Sequence, residues 1–503
     1  MWSLIKKAGE FIAPIIQTNS FEEFKESCNT VLATILKHDT EDTIAFNGAL
    51  NNIQDYLNEE IDSDDHPCLD YFVSESIMQK IVDSINENFP TTHIQSIFDF
   101  FSVFLTTGLN KHILQVTVHR PFAQLLSKLD ILYLKDQYSV RKFASSVWDA
   151  IYKSPIALEM MTVNGKYPIF DFFFSFVFSP EDSNDYARDA VLMVVSETSS
   201  NYPPIFKEYI RDHLYSQVVD FIIQVSECAT TIQFKDTFTS LLLWADNLLT
   251  LYGDFPVDSL FEKISNLELA NQLLTISLLL SFFIAPVIFD NTIKFVQKEN
   301  FSEILCKCLD SEKEFDKKSA VTCIKTVLRC DPNIIGDLIP IVQTEPADVL
   351  SLLPPEWLVQ VDGSSAMEAY ESDAITRINF YGTKNNKRSV GTDNKDKCVF
   401  IHILNLLSKF KEQSISLALS LSQLILMILA NAPDLISDDL AKSYESAVEQ
   451  YKEVPFFQME SLKYPDSPEF RAAILTEFGK EIHATFIASE KIKVNLSMFN
   501  NDQ

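Results

Sequence analysis

The chain has 503 residues, 47% hydrophobic and 22% charged, which is enough to bury a sizeable core. Only 10 residues are glycine, whereas nucleotide-binding α/β folds and β-sandwiches need glycine at their tight turns and hairpins. The formal net charge of −29 disfavours general electrostatic attraction to nucleic acid or to anionic membrane. These properties predict an all-α protein that binds neither.

The N-terminal stretch MWSLIKKAGEFIAPIIQ is not predicted to be a signal peptide. Glu10 and Pro14 interrupt its apolar part, and no small-residue cleavage site follows. The eight cysteines are sparse and irregularly spaced, which is typical of a reduced cytosolic protein rather than a disulfide framework. We therefore predict a cytoplasmic chain whose residues 1–39 form an N-terminal helical segment.

From residue 40 onward the dominant pattern is apolar residues at helical spacing. Helical segments follow one another with short polar or proline-containing breaks, and no regular tetratricopeptide or ankyrin signature is visible. This predicts an elongated α-solenoid of degenerate armadillo/HEAT-like repeats over residues 40–360. Residues 361–397 hold three of the ten glycines and are predicted as a polar loop region. A C-terminal helical segment, residues 398–503, continues the solenoid.

Two uncharged windows, Leu269–Phe289 and Gln413–Pro433, are each long enough to span a bilayer. Both contain several polar residues, and both lack clustered Lys/Arg at one end and aromatic residues at both. We therefore predict that they are buried helices of the solenoid, and that any membrane association of the chain is indirect.

No motif for phosphate binding, nucleophilic catalysis or zinc catalysis occurs in the chain. Cys306 and Cys308, with Cys323 and Cys330 downstream, do not have the spacing of zinc ligands. We predict no metal, no cofactor and no enzymatic activity, although an enzyme with unrecognised residues stays an alternative.

The stretch QVTVHRPFAQLLSKL contains a proline ahead of an apolar stripe. Pro121 suits the first position of a helix, where its missing N–H is not needed. A proline also disfavours helical backbone at the preceding residue, so His119 and Arg120 are predicted to lie on the loop before the helix. There Arg120 either pairs with an acidic neighbour to hold a turn, which we favour, or contacts a partner.

Six short segments in order along the chain carry a further pattern. They are His66–Ile77, the HRP stretch His119–Pro121, Tyr186–Leu192 with Tyr209-Ile, Leu353–Trp357, Glu368–Ala374 and Ile474–Ile482. Together they resemble the FHIP family of Hook-interacting proteins, in which HRP resembles the V-H/Y-R-P segment. The resemblance runs from about Thr40 to Ala488, and Gly479 and Ser76 depart from the family by replacing Leu and Asn.

The resemblance implies a non-enzymatic adaptor in the cytoplasm, on vesicles or endosomes. Its expected partners are a Hook-like coiled-coil activator of dynein, an FTS-like ubiquitin-conjugating variant and a Rab-type GTPase. A generic HEAT/armadillo scaffold, importin-like or phosphatase-regulatory, is the alternative from the same class. The family-like positions that are structural or partner-binding are Pro67, Leu69, Tyr71, His119, Arg120, Pro121, Arg188, Asp189, Phe478 and Glu481.

Overall fold

The fold is helical throughout the part of the chain that the computed structural model describes. Its described residues contain no strand, only an isolated antiparallel bridge between Val163 and Lys166. The all-α prediction is confirmed, and the elongated solenoid stays a prediction. The described residues are 20–36, 43–61, 65–106, 116–151, 159–178, 185–197, 204–228, 235–252, 255–332, 347–358, 363–381, 399–454, 464 and 467–501.

The chain divides into two compact units, Met1–Gln217 and Val218–Gln503. The first unit contains α1 (20–36), α2 (Thr43–Glu59), α3 (Pro67–Ser74), α4 (Ile77–Ser84), α5 (Thr91–Thr106), α6 (Val116–Leu126), α7 (Leu129–Tyr133), α8 (Gln137–Ile151), α9 (Pro168–Phe174) and α10 (Asp185–Glu197). The division falls within α11 (Pro204–Cys228). The second unit continues with α12 (Lys235–Tyr252), α13 (Val257–Ser265), α14 (Leu269–Phe282), α15 (Pro286–Val296), α16 (Glu299–Leu309), α17 (Glu314–Cys330), α18 (Pro355–Leu358), α19 (Gly363–Tyr381), α20 (Val399–Ser408), α21 (Ile415–Asn431), α22 (Asp438–Glu449) and α23 (Pro468–Asn501).

Phenylalanine side chains fill much of the core of the first unit. Helix α2 packs on α5, and α5 packs on α8. Between α5 and α8 the rings of Phe98 and Phe143 stack with centroids 4.5 Å apart. Between α5 and α6 the ring of Phe101 meets that of Phe122 edge to face at 5.0 Å. Aromatic pairs in these geometries add stability beyond the apolar area that they bury.

Lysine side chains satisfy main-chain carbonyls where α4 ends. The ammonium group of Lys128 donates to the carbonyls of Val82 and Ile85, at 2.6 and 2.7 Å. The last carbonyls of a helix have no partner within it, and a cation is favoured near that end. Burial lowers the pKa of Lys128.

In the second unit, the first uncharged window forms two helices rather than one. The chain leaves α14 at Phe283 and starts α15 at Pro286. The buried carboxylate of Asp246 accepts hydrogen bonds from the N–H groups of Ile284 and Ala285, at 2.9 and 2.8 Å, and so fixes the turn.

The second window forms α21, and most residues of α14 and α21 are buried. This confirms the prediction that both windows are buried. In the described part of the chain, no helix combines the length and the apolar character needed to cross a bilayer.

The prediction of a polar loop region is wrong for residues 363–381, which form α19. Its side chains at Tyr370, Ile375 and Ile378 pack on Ala484 and other small residues of α23. The helix forms because this stripe has partners to pack on, although its other positions are polar. The rest of the predicted loop, and residues 1–19 of the predicted N-terminal segment, lie outside the described residues.

Candidate functional site

The family-like segment at residues 66–77 forms α3 and the turn into α4. Pro67 occupies the first turn of α3 and is exposed, whereas Leu69 is buried. The carboxylate of Glu60 accepts hydrogen bonds from the N–H groups of Cys68 and Leu69, at 2.8 and 3.0 Å. These bonds satisfy N–H groups that have no partner within the helix. Tyr71 is half-buried, and its ring meets that of Phe21 edge to face at 5.9 Å.

Ser76 stands between α3 and α4 with a left-handed backbone, φ 51° and ψ 44°. For most residues with a Cβ this conformation costs about 1–2 kcal/mol, whereas glycine and asparagine tolerate it better. The position where this chain departs from the family asparagine is therefore one where asparagine is better tolerated than serine.

Pro121 lies inside α6, not at its first turn, and is buried. The prediction that His119 and Arg120 lie on a loop before the helix is therefore wrong, because both residues are helical. The preference of proline for extended backbone at the preceding residue is overridden here by packing, since Val118, Phe122 and Leu125 of the same helix are buried. Arg120 is exposed, and its side chain has no ion pair with another described residue.

The family-like segment at residues 186–192 lies in α10. Arg188 is buried, its Nε donates to the carbonyl of Val177 at 3.1 Å, and its guanidinium pairs with Asp185. Arg188 thus ties the start of α10 to the segment that follows α9. Asp189 is exposed.

Three family-like segments meet in the second unit, because Leu353–Trp357 and Glu368–Ala374, which are close in sequence, both contact the distant segment Ile474–Ile482. Helix α19 packs on α23, where Tyr370 donates to the carboxylate of Glu477 and Arg377 pairs with Glu481. Beside them Leu353 lies close to Gly479, in the interior of α23. We call this group of residues in the Leu353–Trp357, Glu368–Ala374 and Ile474–Ile482 segments the C-terminal cluster.

A buried tyrosine and a buried tryptophan anchor the C-terminal cluster. The ring of Tyr444, in α22, meets the ring of Phe478 edge to face at 5.9 Å. Trp357 is buried, and its indole N–H donates to the carbonyl of Val454 at 3.0 Å. The hydroxyl of Tyr444 donates to the carbonyl of Leu475, so the polar atoms of both large side chains are satisfied inside the core.

Along the C-terminal cluster, α21 and α23 leave an apolar groove with a cavity volume of about 320 Å³. On α21 it is lined by residues spaced one helical turn apart, Leu419, Ser422, Gln423 and Leu426, and on α23 by Phe470, Ala473, Ile474, Glu477, Phe478 and Glu481. Of the family-like positions, the structure thus places Phe478 and Glu481 in one concave surface. We call it the α21–α23 groove.

Two buried cysteines of the second unit lie where thiolate formation is disfavoured. Burial raises the pKa of Cys308 and of Cys323 to about 12. A thiol that stays protonated is a poor nucleophile and a poor metal ligand. In the part of the chain that the structure describes, no three His, Cys, Asp or Glu side chains are grouped so as to hold a metal ion.

The sequence did not reveal that Arg377 and Tyr444 contact the C-terminal cluster, nor that α21 and α23 form a groove. Tyr370, Ala374 and Ile378 repeat every four residues, and this stripe was a usable signal for α19. Helix α21 is apolar on nearly every side, so its sequence does not indicate which face is left open.

No protein-family model matches the chain, and no curated protein matches it. Among solved structures the chain is similar to the crystal structure of an engineered protein from the Northeast Structural Genomics Consortium. The identity is 12%, the match covers 89% of this chain and 99% of the other, and the TM-score is 0.26. A TM-score this low does not establish a shared fold.

Proposed function

We propose that the chain is a non-enzymatic adaptor of the FHIP type. It would join a Hook-like coiled-coil activator of dynein and an FTS-like ubiquitin-conjugating variant to vesicle or endosome cargo. On the cargo membrane it would recognise a Rab-type GTPase. Its location would then be the cytoplasmic face of vesicles, reached through protein contacts. The resemblance of its segments to the family is the basis of this proposal.

One structural observation supports it. Two of the segments that resemble the family, Leu353–Trp357 and Glu368–Ala374, both contact the third, Ile474–Ile482, which lies about a hundred residues further along the chain. Residues that contact one another restrict which substitutions each position tolerates. A resemblance to the family at all three contacting segments is therefore better support for the proposal than three matches at unconnected positions. The cluster also borders a concave apolar surface, which an adaptor needs and which a self-contained helical core does not.

Native affinity purification of the tagged chain, followed by mass spectrometry, tests the proposal. We expect a Hook-like protein, an FTS-like protein and dynein subunits to co-purify. Recovery of nuclear-import cargo or a phosphatase catalytic subunit, without a Hook-like or motor component, would instead support the generic HEAT scaffold. Turnover in an assay panel would support the enzyme alternative.

A further inference from the structure

The α21–α23 groove has the dimensions of a helix-binding trough. Its lining on α23 runs from Phe470 to Glu481, so it extends over three turns, about 17 Å at 1.5 Å per residue. On α21 the lining runs from Leu419 to Leu426, two turns. Two neighbouring helices that each present one row of residues form the surface on which a third helix packs.

The wall of the groove is apolar where an occupant would sit. Leu426 and Phe478 are buried at its floor, Phe470 and Ile474 are half-buried on one wall, and Leu419 is 41% exposed on the other. Leucine and phenylalanine left partly in water at one concave surface gain free energy when an apolar side chain covers them.

At one edge of the groove, the charged group that faces solvent is a carboxylate. Glu477 pairs with Lys480, but 51% of the Glu477 side chain is exposed and only 6% of the Lys480 side chain. A partner approaching this edge therefore meets the carboxylate and not the ammonium group. At the opposite edge the amide oxygen of Gln423 accepts a hydrogen bond from the ammonium group of Lys325 at 2.8 Å, so the cation lies on the side away from Glu477.

We propose that the α21–α23 groove binds an amphipathic helix of a partner protein, with an apolar stripe of about three turns and Lys or Arg along the side that faces Glu477. The net charge of −29 also favours a basic partner segment, because complementary charge speeds and orients association. The inference deepens the proposed function by naming the surface that would engage a helical partner.

The first test uses a fluorescent Leu/Lys peptide of about 14 residues, long enough for the groove, with leucines at helical spacing. Binding to the full chain is measured by fluorescence anisotropy at roughly 0.15 M salt, where unspecific attraction between exposed charges is screened. The control peptide has the same composition in an order that destroys the helical stripe. We expect the stripe peptide to bind and the control peptide to bind about tenfold more weakly.

Variants of the chain locate the binding. Leu419→Glu places a charge on the groove wall, Ala473→Leu fills the groove without adding charge, and Glu477→Gln removes the outward carboxylate. We expect each of the first two to weaken binding of the stripe peptide about tenfold, and the third to weaken it several-fold. The matched control is Leu243→Glu on α12, where a leucine of similar exposure, 49%, lies outside the groove. It should change binding by less than about twofold.

Equal binding by Leu419→Glu, Ala473→Leu and Leu243→Glu would overturn the proposal, as would equal binding of the two peptides. Because Ala473→Leu is apolar, it keeps the test valid if Leu419→Glu fails to fold. The adaptor proposal fails separately. A groove that binds the stripe peptide in a chain that recovers no Hook-like protein would retain the inference and remove the FHIP-type function.

Discussion

The hydroxyl of Tyr444 donates a hydrogen bond to the main-chain carbonyl of Leu475, 2.7 Å away, and reaches it across Gly479. Tyr444 is fully buried, and burial raises its pKa, so the phenol stays protonated and able to donate. A Cβ at Gly479 would lie 2.2 Å from that hydroxyl and 3.0 Å from the ring carbon that bears it. The absence of a side chain at Gly479 therefore lets α22 approach α23 closely enough for this bond.

We predict that Gly479→Ala lowers the free energy of unfolding by about 1–3 kcal/mol, the usual cost of inserting a methyl group into a packed core. Thermal unfolding followed by circular dichroism measures the change. Normally the same substitution within a helix stabilises it, so the sign of the effect is diagnostic.

Gly48→Ala is the matched control for Gly479→Ala. Gly48 lies in α2, is exposed, and has nothing within 4 Å of the position that a Cβ would take. This substitution should raise stability by about 0.5–1 kcal/mol. Combining Gly479→Ala with Tyr444→Phe should be less destabilising than the sum of the two, because the phenylalanine lacks the clashing hydroxyl. If the two changes in the free energy of unfolding simply added, or if Gly479→Ala raised stability, the close approach of the Tyr444 hydroxyl to Gly479 would be contradicted.

Ser76 offers the opposite case, a position where glycine is missing. Its left-handed backbone, φ 51°, is better tolerated by glycine and asparagine than by serine. We predict that Ser76→Gly raises the free energy of unfolding by up to about 1 kcal/mol and that Ser76→Asn raises it less. Ser76→Val should lower it, since a β-branched residue is strained in this conformation. If Ser76→Val melts at the temperature of the unchanged chain, the turn does not need a left-handed residue.

Ser76 and Gly479 show which structural features could be predicted from the sequence and which could not. Both were visible as departures from the family pattern, yet a single sequence gives neither the φ of Ser76 nor the neighbour of Gly479. The helical period, by contrast, is local. Apolar residues at helical spacing in His93–Thr107 and in Phe400–Phe410 predict helices, and the structure has α5 and α20 there. The prediction for α19 was wrong because its many polar residues outweighed a stripe at Tyr370, Ala374 and Ile378 whose partners are more than a hundred residues away.

The structure changes the prediction for Arg120. Removing an arginine that holds a turn through a buried partner would lower the free energy of unfolding. Arg120, however, is exposed on α6. We predict that Arg120→Ala changes the free energy of unfolding by less than about 0.5 kcal/mol, as exposed substitutions usually do. Thermal unfolding of the variant checks this. A loss of 1–2 kcal/mol, the magnitude typical of a lost buried hydrogen bond to a charged group, would restore the structural role that the sequence suggested.

Asp130 provides a test by pH. Its side chain is exposed in part, yet the partial loss of solvent around its carboxyl and the nearby carboxylate of Asp171 raise its pKa, so the effect on stability should be small. Asp171 already accepts a hydrogen bond from the hydroxyl of Tyr209. A carboxyl whose pKa is higher in the folded chain than its unfolded value, about 3.9, binds protons more tightly when folded. Its contribution to stability is therefore fully present below the unfolded pKa and is lost as the pH rises through the folded pKa.

Asp130→Asn should accordingly raise the unfolding temperature at pH near 7, since the amide carries no charge for the folded state to disfavour. The gain should shrink as the pH falls toward about 4, where the carboxyl of the unchanged chain takes up its proton. Asp189→Asn makes the same substitution at another carboxylate of the same unit and serves as the control. Unfolding temperatures of both variants between about pH 4 and 8 decide the matter. A lower unfolding temperature for Asp130→Asn at neutral pH would mean that the ionised carboxylate stabilises the fold, contrary to the repulsion from Asp171.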